Sequence, residues 1–274
     1  MNNIHWGTRR TSETNSTRAD GLFLDWSSKL WNILEHVLPM PQGMTPIPEE
    51  EPLPPRYLVS IDSTNVNPTQ KTPPLNSFLC TVLQNRRITA PGHWQDVRHI
   101  ILKSEDSLMR YEPGDIALVW PENPKEEVDF FLDVLRWSEI ADTPLKITYG
   151  QTGQLVQTQH SSPTLRALAT SYLDICSVPR RSFFELLKHF SMDKQHVEKF
   201  TEFCTLEGQE ELWDYTTRPR RTIVEVLADF SNSLMIPLEY VLDVFPHMKP
   251  RKFSIASSLA VLPVQGYADL GASE

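Results

Sequence analysis

Cysteine is scarce. Cys80, Cys176 and Cys204 are the only three in 274 residues, they lie far apart, and no CxxC occurs. An odd, dispersed set does not frame a disulfide scaffold or a structural zinc site, and predicts reduced, buried thiols in a cytosolic protein. Glycine is sparse too, at ten residues, and the GxGxxG phosphate loop of dinucleotide-binding folds is absent. No apolar run approaches the roughly 20 residues that span a bilayer. The opening Met1-Asn2-Asn3-Ile4-His5-Trp6 has no apolar signal core. Glu13 and Asp20 argue against reading the Arg/Ser/Thr-rich residues 7–19 as a transit peptide. Positive charge is in deficit: 26 Lys and Arg face 35 Asp and Glu, a net charge of −9. That disfavours a general nucleic-acid binder and is compatible with docking a basic protein.

Proline is abundant and unevenly spread. Residues 39–75 hold ten of the 22, and with Glu49, Glu50 and Glu51 they read as an extended linker interrupted by one strand, Tyr57 to Ile61. Ahead of it, residues 1–20 are polar, rich in Ser and Thr, and read as disordered. Residues 22–38 read as a helix, with Leu22, Trp26, Leu30, Ile33, Leu34, Val37 and Leu38 on one face and Pro39 as its stop. Strands are expected at 77–88, 97–103 and 115–120, punctuated by Pro91-Gly92 and Pro113-Gly114. Short strands with turns between them suggest an antiparallel barrel.

From 123 to 246 the pattern is almost wholly helical, interrupted by one or two strands, chiefly Leu145 to Thr148. Ser162-Pro163 reads as an N-cap followed by proline at the first helical position. Ser182 and Glu185 read as a capping box. Further helices are expected near 193–205, 208–215, 220–230 and 237–244. His189 and His196 straddle a helix break at Ser191 without a carboxylate or thiol at convincing ligand spacing. Glu207, Glu210 and Glu211 read as a solvated turn near a helix N-terminus.

One stretch carries chemistry: Pro250-Arg251-Lys252-Phe253-Ser254-Ile255-Ala256-Ser257-Ser258. On a strand, Arg251 and Phe253 share one face, and Lys252 and Ser254 the other. An Arg fork suits a phosphate or pyrophosphate, an aromatic covers a planar ring, and a serine hydroxyl exchanges a hydrogen bond with a ring nitrogen. Together they suit a phosphorylated planar cofactor such as a flavin nucleotide. The plainer reading of the same residues is a strand with one exposed arginine.

Arg-x-Phe-Ser-Ile-Ala-Ser-Ser resembles the FAD motif of the ferredoxin-reductase-type domain in the diflavin reductase family. Tyr111-Glu112-Pro113-Gly114-Asp115 resembles a turn of the same domains that leads into a barrel strand. Thr164-Leu165-Arg166-Ala167-Leu168 with Tyr172-Leu173-Asp174-Ile175, and Arg218-Pro219-Arg220-Arg221-Thr222-Ile223, resemble helices of the family's connecting domain. The helix at 22–38 and the Gly43-Met44-Thr45-Pro46-Ile47-Pro48 segment resemble the end of its flavodoxin-like FMN domain and the linker beyond. Phe253, where many members have Tyr, and the arginine segment are most similar to the NADPH-dependent diflavin oxidoreductases of iron–sulfur assembly.

The resemblance implies an α+β fold: an incomplete antiparallel FAD-binding barrel with a large all-α connecting insertion. The expected partition is a disordered 1–21, a remnant FMN-domain helix with linker over 22–75, and an FAD domain over 76–258. Within that domain 76–122 and 247–258 are barrel and 123–246 connecting subdomain, with a divergent tail at 259–274. By resemblance Arg251 pairs with the FAD pyrophosphate, Phe253 lies against the isoalloxazine, Ser254 sits near its reactive nitrogen, and Arg220 reaches the cofactor from the connecting domain. Lys252 lies inside the motif with a backbone contact or a solvated side chain. FMN and NADPH belong to the full-length family, and their loops and domain are not found here. The chain is therefore expected to be truncated at both ends and catalytically incomplete. Two other readings stay open: a non-catalytic interaction module that docks a redox partner, and a fragment of a P450-reductase or sulfite-reductase type flavoprotein.

Overall fold

The computed structural model describes residues 14–38, 43, 45, 47–62, 77–104, 111–112, 114–156, 163–257 and 267–273. In chain order these form α1 (Thr14–Val37), β1 (Tyr57–Ile61), β2 (Cys80–Arg87), β3 (Val97–Ser104), β4 (Ile116–Val119), α2 (Lys125–Val134) and β5 (Leu145–Tyr149). There follow α3 (Leu165–Ser171), α4 (Arg181–Leu187), α5 (Lys194–Phe203), α6 (Gln209–Leu212), α7 (Ile223–Asp229), α8 (Val241–Val244), β6 (Arg251–Ser254) and β7 (Tyr267–Ser273). The chain divides into two compact units: Met1–Pro54 with Ser177–Ile236, and Pro55–Cys176 with Pro237–Glu274.

The first unit is helical. Phe184 on α4 is fully buried and has ring neighbours Phe183, Phe200 and Phe203 at 5.5, 5.9 and 5.1 Å. Leu187, Ile223, Val226 and Leu227 close the same core. Helix α7 starts with a capping box: the Thr222 hydroxyl accepts from the Glu225 amide while the Glu225 carboxylate accepts from the Thr222 amide. That pattern satisfies two amides that a helix start leaves orphaned. The box expected at Ser182 and Glu185 is not formed. Helix α4 begins two residues earlier than that box requires, at Arg181, so its N-cap is Arg180, which makes no side-chain cap bond. Helix α1 begins at Thr14, inside the stretch expected to be disordered. Its apolar face is solvent-exposed at Leu22, Trp26, Ile33 and Val37, with Leu30 and Leu34 half-buried.

The second unit holds the strands, all of them antiparallel, in three small sheets: β1–β5, β2–β3–β7 and β4–β6. They do not close into one barrel among the described residues; the sequence expectation is an incomplete barrel. The β4–β6 pair is two strands of four residues, and the Ile116 and Leu118 side chains of β4 stay exposed rather than facing a second sheet. In β2 the register slips between Val82 and Gln84, a bulge at Leu83 that reverses the alternation begun at Phe78 and Cys80. Strand β7 adds a third strand to β3 with Val97 opposite Ser273. The unit's core lies where α2, α3 and α8 meet β1 and β5, around Phe131, Trp137, Leu145, Leu168 and Phe245. Phe131 and Phe245 meet edge to face at 4.9 Å. Buried Asn123 donates to the carbonyls of Ala169 and Leu173, both at 2.7 Å, and so satisfies the C-terminal end of α3. The N-cap of α3 is Thr164, whose hydroxyl accepts from the Ala167 amide, rather than Ser162, which lies outside the described residues.

All three cysteines are free, but Cys80 is exposed, against expectation, because it opens β2 at the edge of its sheet. Burial raises the thiol of Cys176 and pushes that of Cys204 up to about 11, so neither is a thiolate at neutral pH. Among the described residues no helix is long and apolar enough to cross a membrane.

Candidate functional site

The site is built on β6. Pro250 lacks an amide and cannot extend the ladder, so the strand starts at Arg251. It pairs with β4 in the register Val119↔Arg251, Leu118↔Lys252, Ala117↔Phe253 and Ile116↔Ser254. Arg251, Lys252 and Ser254 are exposed and Phe253 is half-buried, so the cation, the ring edge and the hydroxyl are open to a ligand. Among the described residues no carboxylate forms an ion pair with Arg251. Its charge reaches Asp174, whose carboxyl burial holds above the ordinary range while Arg251 pulls it down.

The approach to β6 is fixed by backbone bonds. The Asp174 amide donates to the Pro246 carbonyl at 2.8 Å, and the Met248 amide donates to the Tyr172 carbonyl at 2.7 Å. Leu173 and His247 form the bridge between them. These bonds stitch the exit of α3 to the entry of β6. The turn before β4 is equally tight. The Asp115 amide donates to the Glu112 carbonyl at 3.0 Å, and the Glu112 amide donates to the Asp115 carboxylate at 2.8 Å. Gly114 there has a φ of 100°, a conformation open to glycine.

Arg220 belongs to the helical unit. Helix α6 runs into a π-helical turn, Trp213–Thr217, with the Arg218 amide bonded to the Trp213 carbonyl at 2.9 Å. The Arg221 amide then donates to Thr216 at 2.8 Å and the Arg220 amide to Thr217 at 3.2 Å, the two bonds of a Schellman ending. In that ending Arg220 takes the left-handed position, with φ of 57°, where glycine is the usual occupant. Its neighbours are committed: Arg218 pairs with Asp214 at 3.4 Å, and Arg221 bonds Asp229 while lying over the Tyr215 ring at 4.4 Å. Arg220 is exposed and has no ion-pair partner among the described residues. Backbone strain of this kind collects at functional positions. Arg220→Gly is expected to raise stability by about 0.5–1 kcal/mol by relieving the left-handed arginine. A rise in melting temperature on thermal denaturation checks this.

The histidines singled out in the sequence have local tasks. His189 Nδ1 donates to the Glu50 carbonyl at 3.2 Å. His196 Nδ1 meets the Ser233 hydroxyl at 2.6 Å, and that hydroxyl itself donates to the Phe230 carbonyl at 3.3 Å. Ser233 is thus shared between the imidazole, the Phe230 carbonyl and the Ser191 hydroxyl, which donates to it at 3.1 Å. Glu210 and Glu211 lie in the first turn of α6, and Glu211 is bonded to Lys199.

Sequence reading missed one side-chain contact. The Tyr111 and Ser257 hydroxyls are 2.9 Å apart across 146 residues of sequence separation. Each lies in a segment singled out by resemblance, and nothing local in either predicts that they meet.

Strand β6 thus presents an arginine and a serine to solvent beside a half-buried aromatic ring. The profile of the family described as FAD binding domain matches residues 71–265, and the chain belongs to that family. It is similar to the NADPH-dependent diflavin oxidoreductase 1 of Aspergillus fumigatus, 35% identical over 89% of this chain and 43% of the relative. The proteins of that name from Debaryomyces hansenii and Mus musculus are each 39% identical over 87% of this chain and 42% of the relative. The chain thus spans less than half the length of these relatives. FAD is the cofactor that the family name specifies, and the exposed Arg251, without an ion pair among the described residues, fits a pyrophosphate.

Proposed function

We propose that this chain is the FAD-binding part of an NADPH-dependent diflavin oxidoreductase. In that reading electrons pass from NADPH through FAD and FMN to an iron–sulfur cluster assembly protein in the cytoplasm. The observation that carries it is the set on β6: Arg251 exposed and without an ion-paired carboxylate among the described residues, Phe253 half-buried beside it, and Ser254 exposed at the strand's end. The names of the relatives support the reductase class. Arg251 holds the pyrophosphate, Phe253 covers the ring system, Ser254 offers a hydrogen bond to it, and Lys252 contributes through its backbone; Arg220 is assigned to the cofactor by the family resemblance alone. FAD supplies hydride acceptance and onward electron transfer when bound. The protein's part is to hold the ring, neutralise the phosphates and keep the hydroxyl in place. Residues 76–122 and 247–258 are assigned to an FAD-binding barrel of ferredoxin-reductase type, 123–246 to its connecting subdomain, and 22–75 to an FMN-domain helix with its linker.

Titration of the purified chain with FAD, followed by flavin fluorescence quenching, tests this. Saturable quenching at one FAD per chain is expected. A folded chain with no saturable quenching would remove the flavoprotein reading. The exposed apolar face of α1 would then favour the helical unit as an interaction module for a redox partner.

A further inference from the structure

We propose that Tyr111 is a positioning residue for the flavin site, acting through Ser257 on Ser254. The inference rests on the FAD reading above. Strand β6 is short, and its ladder with β4 ends at Ile116↔Ser254. An isolated two-stranded pair is marginal in water, and its end frays first. The two ends of β6 differ in how they are held. Upstream, the Asp174–Pro246 and Met248–Tyr172 backbone bonds fix the approach to Arg251. Downstream, Ser254 sits on the last rung, where a flavin-facing hydroxyl tolerates little displacement.

The Tyr111–Ser257 bond, at 2.9 Å, holds that downstream end. Ser257 lies three residues past Ser254, a span of at most about 10 Å of extended chain. Tyr111 in turn is anchored, because the next residue, Glu112, is closed onto Asp115 by two hydrogen bonds at the head of β4. The turn, β4, β6 and the bond between the two hydroxyls therefore form a closed ring around the last rung. A phenylalanine at 111 would fill the same space and lose only the hydroxyl. The tyrosine's oxygen is thus the part that acts on the site.

FAD titrations of the full chain as wild type, Tyr111→Phe, Ser257→Ala and the double variant test this. Each single variant should bind FAD about three- to tenfold more weakly, the loss of one hydrogen bond. The double variant should lose less than the sum of the singles, because both remove the contact the two hydroxyls share. At saturating FAD the visible circular dichroism of the bound flavin should change in both single variants while far-ultraviolet circular dichroism stays the same. Wild-type affinity and an unchanged visible spectrum in both singles would overturn the proposal, even if their melting temperatures fell. Additive losses in the double variant would also overturn it. If wild type itself failed to bind FAD, the flavin reading would fall first and take this one with it. That result is distinct from a wild type that binds and variants that match it.

Discussion

Arg251→Ala should weaken FAD binding about a hundredfold, with little change in folding. A guanidinium on a pyrophosphate makes charge-assisted, paired hydrogen bonds, each worth roughly 1.5–3 kcal/mol, and about 2.7 kcal/mol is a hundredfold in affinity. Arg251 is exposed and, among the described residues, has no ion pair to lose, so alanine leaves no buried charge orphaned. Among the described residues, Asp174 is a neighbour whose titration changes. Its carboxyl loses the cation that lowers it, and burial alone then holds it still higher. Arg251→Lys should recover only part of the affinity, since an ammonium lacks the planar fork. Titration by fluorescence quenching at two salt concentrations checks the assignment. The wild type's affinity should fall with salt more steeply than that of the alanine variant. Equal affinities for wild type and alanine would remove Arg251 from the site.

Phe184→Ala should cost about 3–5 kcal/mol, a large part of the roughly 5–15 kcal/mol that a folded domain holds. Phe184 is fully buried with three phenylalanine rings around it, so its removal opens a cavity that its neighbours cannot readily fill. Phe184→Leu should cost less, because most of the volume stays. Urea denaturation followed by far-ultraviolet circular dichroism reads both. A loss under about 1 kcal/mol for the alanine variant would show that the aromatic cluster relaxes around the gap.

The elements were more legible than the way they assemble. Alternation and turn residues located β3 and β4 within a residue or two, and the three- and four-residue steps located α5 and α7. Helix caps were read less well, because a Ser-x-x-Glu pattern at 182–185 and a Thr-x-x-Glu pattern at 222–225 look alike. Only the second sits at a point where the backbone enters the helix from an extended conformation at its own Thr. The partner of each strand was not legible. Nothing local says that Tyr57–Ile61 pairs with Leu145–Tyr149, or that β7 lies against β3. At the site, residue types carried the signal: Arg251, Phe253 and Ser254 are a cation, a ring and a hydroxyl on one strand. What tied Ser257 to Tyr111, and what turned Arg220 into a left-handed residue, depends on distant chain and on the Schellman ending.

Both units are discontinuous in the chain, and this bears on synthesis. The β4–β6 ladder joins Val119 to Arg251, so β4 leaves the ribosome well before β6, its partner strand among the described residues, exists. Pairings of such separation form late, since loop closure must precede any gain from contact. During that interval Ile116 and Leu118, exposed even in the finished fold, are open to other nascent chains. The strand pair assigned to the flavin is therefore completed only once β6 has emerged. Supply of free FAD while the chain emerges would act on yield as well as on activity, by capturing β6 as soon as it pairs.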